Sequence, residues 1–237
     1  MVAEIIGSGL RELGYDAVPP ETVECLCQYG KRLLEKNQVM NLTAITEPEA
    51  VARLHMLDCA ALRTVGDWNG KSLIDVGTGA GFPGLVLKIL YPSLRLTLLD
   101  SLQKRLDWLT ELCGELGLSD VTILHARAEE AAHDPALRDG FDYATARAVA
   151  ALPMLCELCL PYVRPGGAFL AMKSGSCAEE IAAAQGAIQK LKASPCKAVR
   201  YTIPGTEVER QILIIGKQER TPERYPRPFA KIKKQPL

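Results

Sequence analysis

A chain of 237 residues, 48% of them hydrophobic, can bury one substantial core and lies near the upper end of a single domain. No run of about 18 apolar residues offers a membrane span, and Met1-Val2-Ala3-Glu4-Ile5-Ile6 lacks the basic stretch and cleavage site of a signal peptide, so a soluble, cytoplasmic protein is expected. The formal charge of zero hides an asymmetry: from 217 to 237, seven Lys/Arg stand against two Glu, a net +5 that leaves −5 on the remaining 216 residues.

Residues 1 to 65 read as helical. Val23, Leu26, Cys27, Leu33 and Leu34 recur at helical spacing after the start signal Pro20-Glu21, and this helix is expected to fray near Asn37. Beyond residue 70 the pattern alternates, with strands expected at 72–76, 94–99, 121–125, 141–146, 167–172, 198–203 and 210–216. Helices are expected at 83–91, 101–117, 151–163 and 177–192. Crossovers thus join the first five strands, and the last two follow each other around Pro204-Gly205. That order predicts an α/β fold, a doubly wound, mostly parallel seven-stranded sheet with one antiparallel strand. The chain divides into an N-terminal helical extension packed on the core (1–65), a cofactor-binding core (66–217) and a basic C-terminal tail (218–237).

The segment Leu73-Ile74-Asp75-Val76-Gly77-Thr78-Gly79-Ala80-Gly81-Phe82-Pro83-Gly84 is a buried strand ending in a carboxylate, a glycine turn and a helix start. Such a junction holds a nucleotide-like cofactor. Gly77, Gly79 and Gly81 are spaced G-x-G-x-G rather than the G-x-G-x-x-G that brings amides against a pyrophosphate. A second apolar run, Leu94 to Leu99, closes on Asp100 at about the 20-residue offset of an acid that binds ribose hydroxyls. Asp75, at the end of an apolar strand, needs amide or cofactor donors to offset its burial.

The eight cysteines suit reduced, buried thiols, because Cys25/Cys27 and Cys156/Cys159 lack a second pair to complete a metal site. No metal is expected. His125 and His133 have no partner that the sequence suggests. In the tail, Tyr225 and Phe229 interleave with Arg224 and Arg227, so the segment reads either as a solvated face or as an arm contacting phosphates and stacking on unpaired bases.

The glycine turn with Asp75 and Asp100 resembles the class I S-adenosylmethionine (AdoMet) methyltransferases, whose Rossmann-like sheet has the topology predicted above. The resemblance narrows when blocks are taken in order: Asn41-Leu42-Thr43, His55-Met56-Leu57-Asp58, the glycine turn, Leu99-Asp100-Ser101 with Lys104-Arg105, Arg127-Ala128-Glu129, Thr145-Ala146-Arg147-Ala148 and Arg224-Tyr225-Pro226-Arg227. Together they are similar to the ribosomal RNA small subunit methyltransferase G family. Membership implies transfer of a methyl group from AdoMet to N7 of a guanine in 16S ribosomal RNA, with that RNA or the small ribosomal subunit as partner. A monomer is expected. It implies cofactor-binding positions at Gly77, Phe82, Ala128, Glu129 and Arg147. The chain departs from the family pattern at Cys59, at Lys173-Ser174 and at Phe229-Ala230-Lys231.

Several residues keep two readings. Glu129 is a helix-start acid or a cofactor contact. Arg147 pairs with a neighbouring acid or faces cofactor and RNA. His55 and Asp58, three apart on one helical face, form a hydrogen-bonded structural pair or part of a substrate-side cluster, and Lys173 and Arg210 are candidate phosphate contacts near strand ends. Guanine N7 carries no proton, so its methylation requires alignment rather than a general base. In keeping with that, Thr145-Ala146-Arg147-Ala148 is not the Asn/Asp-Pro-Pro-aromatic segment that grips exocyclic amines. A noncatalytic RNA-binding assembly factor and a nicotinamide oxidoreductase are the alternatives; the glycine spacing disfavours the second.

Overall fold

A computed structural model describes residues 1–237. Its centre is a seven-stranded sheet ordered β3-β2-β1-β4-β5-β7-β6. The strands are β1 (Ser72–Val76), β2 (Arg95–Asp100), β3 (Val121–His125), β4 (Phe141–Arg147), β5 (Val163–Ser174), β6 (Lys197–Thr202) and β7 (Glu209–Gly216). The neighbours among β1 to β5 pair in parallel, and β7 runs antiparallel to both β5 and β6. This is the doubly wound, mostly parallel architecture expected from the sequence.

Side chains alternate across each strand, so the sheet separates two cores. Leu73, Leu96 and Leu98 face one core, built with α1 (Val2–Glu12), α2 (Pro20–Met40), α5 (Gly84–Leu90) and α6 (Gln103–Glu115). Ile74, Val76 and Leu99 face the other, built with α8 (Leu152–Cys159), α9 (Ala178–Lys190) and the C-terminal segment. Between α2 and β1 the chain runs through α3 (Pro48–Val51), a π-helical turn (Ala52–Leu57), α4 (Asp58–Ala60) and a 3-10 turn (Ala61–Val65). No helix is long and apolar enough to cross a membrane.

The element boundaries differ from expectation where tertiary contacts intervene. Instead of fraying at Asn37, α2 continues to Met40, because the Asn37 amide accepts from Thr43 N and donates to Thr43 O, both at 2.9 Å. Strand β5 starts four residues earlier than expected, since Gly166 N donates to Lys217 O at 2.9 Å and Lys217 N to Gly167 O at 2.8 Å. The helix expected to reach 163 gives way at Cys159 to a 3-10 turn, Leu160–Tyr162, that contains Pro161. Two short helices have no counterpart among the expected elements: α7 (Ala128–Ala131) and α10 (Phe229–Lys234).

Candidate active site

The strand order reverses between β1 and β4, and the loops leaving their carboxyl ends frame a crevice. It forms a cavity of about 600 Å³ lined by Gly77–Ala80, Leu99–Ser101, Ala126–Glu129 and Arg147–Val149. The glycine turn is pinned to β2: Gly77 N and Thr78 N both donate to Leu99 O, at 2.8 and 3.1 Å, and Gly79 N donates to Asp100 Oδ2 at 3.0 Å. Asp100 Oδ1 accepts from Leu102 N at 2.9 Å, so the acid at the end of β2 is held in place as it faces the cavity. Gly79 has φ +59°, and a Cβ there would meet nothing closer than Gly77 O at 3.9 Å. Its backbone therefore lies open to a ligand.

Two residues that the glycine-turn pattern assigns to the cofactor do not line this cavity. The Asp75 carboxylate is wholly buried and accepts from Thr78 Oγ1 (2.8 Å), Gly84 N (3.0 Å) and Thr145 Oγ1 (3.2 Å). It ties the glycine turn to α5 and β4, with burial raising its pKa to about 6 against the lowering effect of these donors. Gly81 is required by packing instead, since a Cβ would lie 2.7 Å from Leu85 Cδ1 and 2.8 Å from the Tyr29 hydroxyl.

One wall is an aromatic and cationic stack. Phe82 lies between Tyr29 and His55, with ring centroids at 5.0 and 4.6 Å, and the Arg147 guanidinium sits 4.8 Å from its centroid. Arg147 donates to Asp58 Oδ2 (3.2 Å), Leu54 O (3.3 Å) and His55 Nδ1 (2.9 Å). A guanidinium only donates, so His55 Nδ1 is the acceptor and Nε2 carries the proton, donated to Thr43 Oγ1 at 2.8 Å. Burial, then the nearby Arg147 charge, lowers the His55 pKa to about 3, so the ring is neutral. Of the two readings of His55 and Asp58, a directly bonded pair is corrected: Arg147 bridges them, and Asp58 Oδ1 accepts from the Tyr201 hydroxyl at 2.6 Å. Arg147 is thus paired with an acid and at the same time lines the cavity.

A second cavity of about 410 Å³ shares His55, Arg147 and Ala148 with the first. It contains both remaining substrate-side candidates. Lys173 Nζ donates to Ala150 O (2.8 Å) and Glu180 Oε2 (2.7 Å), and Arg210 Nε lies 3.9 Å from Asp58 Oδ1.

At the far strand end, Ala128 O accepts from the Tyr162 hydroxyl at 2.6 Å, and buried Glu129 pairs with Arg127 at 2.5 Å. Phe229 from α10 also lines the cavity. The C-terminal segment is not a free arm. Tyr225 and Ile232 are buried, Arg227 pairs with buried Glu157, and His133 Nε2 lies 3.0 Å from Pro226 O. Tyr225 and Arg227 are thus corrected from base-stacking and phosphate-contacting candidates to packing residues, whereas Arg224 and the α10 lysines stay exposed. The cysteines are all free, and burial raises every thiol pKa among Cys59, Cys113, Cys156 and Cys159. Thr43 and Tyr201 are site residues that the sequence did not single out: Thr43 belongs to the Asn41-Leu42-Thr43 block, but Tyr201 had no local signal. Phe229 was marked as a surface for unpaired bases, and the structure places it on the wall of the cavity at the glycine turn.

The model of the family described as rRNA small subunit methyltransferase G matches residues 22–212. A protein of that name from Alkaliphilus metalliredigens is 43% identical over 98% of each chain, and one from Geobacillus kaustophilus is 45% identical over 89% of each. Among solved structures, a predicted O-methyltransferase from Agrobacterium tumefaciens superposes with TM-score 0.54 over 70% of this chain and 83% of its own, at 16% identity, a likeness of fold.

Proposed function

This chain belongs to the rRNA small subunit methyltransferase G family, and from that premise we propose that it transfers a methyl group from AdoMet to N7 of a guanine in 16S ribosomal RNA. The cavity suits the cofactor: its volume is in the range of small-molecule sites, the Gly79 backbone is open to it, and Asp100 and Glu129 supply carboxylates for hydroxyls. Gly77, Gly79, Phe82, Asp100, Ala128, Glu129 and Arg147 would hold it, with Asp75 and Gly81 supporting the turn from beneath. When bound, the cofactor supplies an electrophilic methyl on a sulfonium.

The observation that carries the N7 reading is the lack of a free base where the two cavities meet. The His55 lone pair is taken up by Arg147 and its N–H by Thr43, Asp58 is engaged by Arg147 and Tyr201, and Lys173 is paired with Glu180. Amine and hydroxyl acceptors must lose a proton as they are methylated. N7 has none to lose, so these residues need only position the base and exclude water. The second cavity, with Arg147, Lys173 and Arg210 on its walls, would receive the base and an adjoining phosphate. A guanine stacked in a helix must first be exposed to enter it.

An RNA substrate carrying 7-deazaguanine at the target tests this reading. It is expected to accept no methyl group, because carbon replaces the nucleophilic nitrogen while the other edges are unchanged. Equal labelling of guanine and 7-deazaguanine RNA would rule out N7.

A further inference from the structure

Only two aromatic rings besides His55 line the cofactor cavity, Phe82 and Phe229. Phe82 has no free face: it is 4% exposed, sandwiched between Tyr29 and His55 and covered by Arg147. Phe229 stands beside Ala128 and Glu129 with its ring partly exposed, and Arg127, itself paired with Glu129, places its guanidinium 4.6 Å from the Phe229 centroid. Taking the cofactor assignment above as its basis, we propose that Phe229 is the surface on which the purine of the cofactor stacks, so that the C-terminal segment supplies part of the cofactor site.

The segment is built to hold that ring still. Two residues before it, Arg227 is clamped on buried Glu157 by three hydrogen bonds of 2.7 to 2.9 Å, and Arg227 Nη2 also reaches Gln235 O at 3.0 Å, closing off both ends of α10. Three residues after it, Ile232 is fully buried in the core beneath α8 and α9. A ring ordered before the ligand arrives loses little freedom on binding, which favours its use as a stacking surface. A purine offers a π-face and no charge, so an aromatic ring backed by a guanidinium suits it without requiring a further buried polar partner.

Full-length protein is titrated with S-adenosylhomocysteine. Both native tryptophans, Trp68 and Trp108, are buried, so the indole introduced by Phe229→Trp reports on the cavity. The variant is expected to retain near-wild-type affinity and to show a fluorescence change, absent from wild type, that saturates at its calorimetric Kd. Phe229→Ala is expected to raise Kd roughly tenfold, in the range for removal of an aromatic beneath a base. A residue 229 out of reach of the bound purine would leave the Phe229→Trp signal unmoved by ligand. That silence, or an unchanged Kd in Phe229→Ala, overturns the stack while the cofactor assignment stands; absence of binding to wild type overturns the assignment on which the stack rests.

Discussion

Arg227 meets Glu157 through its backbone amide and two guanidinium nitrogens, at 2.9, 2.8 and 2.7 Å, and the carboxylate it closes on is fully buried. Removing one partner of a buried ion pair leaves the other charge uncompensated, at a loss of about 3–5 kcal/mol. Urea unfolding of Arg227→Met should show a loss of that size. Pairing it with Glu157→Leu should restore part of it, because an apolar pair leaves no uncompensated charge, although the backbone N–H of residue 227 then loses its acceptor. A loss below about 1 kcal/mol would return Arg227 to the phosphate-contacting set.

Asp75 gives a stability profile of definite sign. Its carboxyl has a pKa near 3.8 when unfolded and about 6 when folded, so between those values the folded state holds the proton more tightly. Its contribution is fully present below the lower value and is lost as pH rises through the upper one. Two units correspond to about 3 kcal/mol. Asp75→Asn can still accept from Gly84 N and donate to Thr145, and it does not titrate. Unfolding free energies taken from pH 4 to pH 7 should therefore shift in favour of Asp75→Asn by roughly 2–2.5 kcal/mol, most of the full difference; a pH-independent difference between the two proteins would refute the raised pKa.

Asp100 holds both the Gly79 amide and the floor of the cavity. Asp100→Ala should weaken S-adenosylhomocysteine binding by about 1–3 kcal/mol, as its charge-assisted hydrogen bonds disappear. Gly79→Val should weaken it further, since a branched side chain at positive φ is strained and occupies the open backbone face. Calorimetry on variants shown to be folded by circular dichroism decides it. Wild-type affinity in Gly79→Val would remove the glycine turn from the site.

The exposed cations of the tail are a separate set from Arg227. Replacing Arg224, Lys231, Lys233 and Lys234 by Gln should weaken RNA binding and flatten its salt dependence by about 0.7–0.9 in the log–log slope for each phosphate that is no longer neutralised. Cofactor affinity should hold steady, because none of the four lines the cavity. RNA affinity measured across a salt series is the check, and an unaltered slope would make these side chains a solvated face.

The sheet and the glycine turn were legible in the chain because their signals are local. The buried apolar run of β1 leading into the glycine turn, the apolar run of β2 ending on Asp100 and the two-residue glycine spacing each lie within a dozen positions, and backbone geometry converts them directly into strand, turn and strand. The family blocks likewise marked Phe82, Glu129 and Arg147. What those residues touch was not legible. Arg147 finds Asp58 across 89 positions, Arg227 finds Glu157 across 70, and Tyr201 finds Asp58 across 143. No periodicity reports such pairings, because they depend on the order in which the strands assemble and on which face of each element turns inward. Asp75 and Gly81 show the limit most clearly. Sequence located both at the turn, but only packing decided that the carboxylate points into the protein and that the missing Cβ makes room for Tyr29 and Leu85 rather than for a ligand. The basic tail was decided in the same way: its charge could be counted from the chain, whereas its docking arose from a buried acid on α8 that needed a cation.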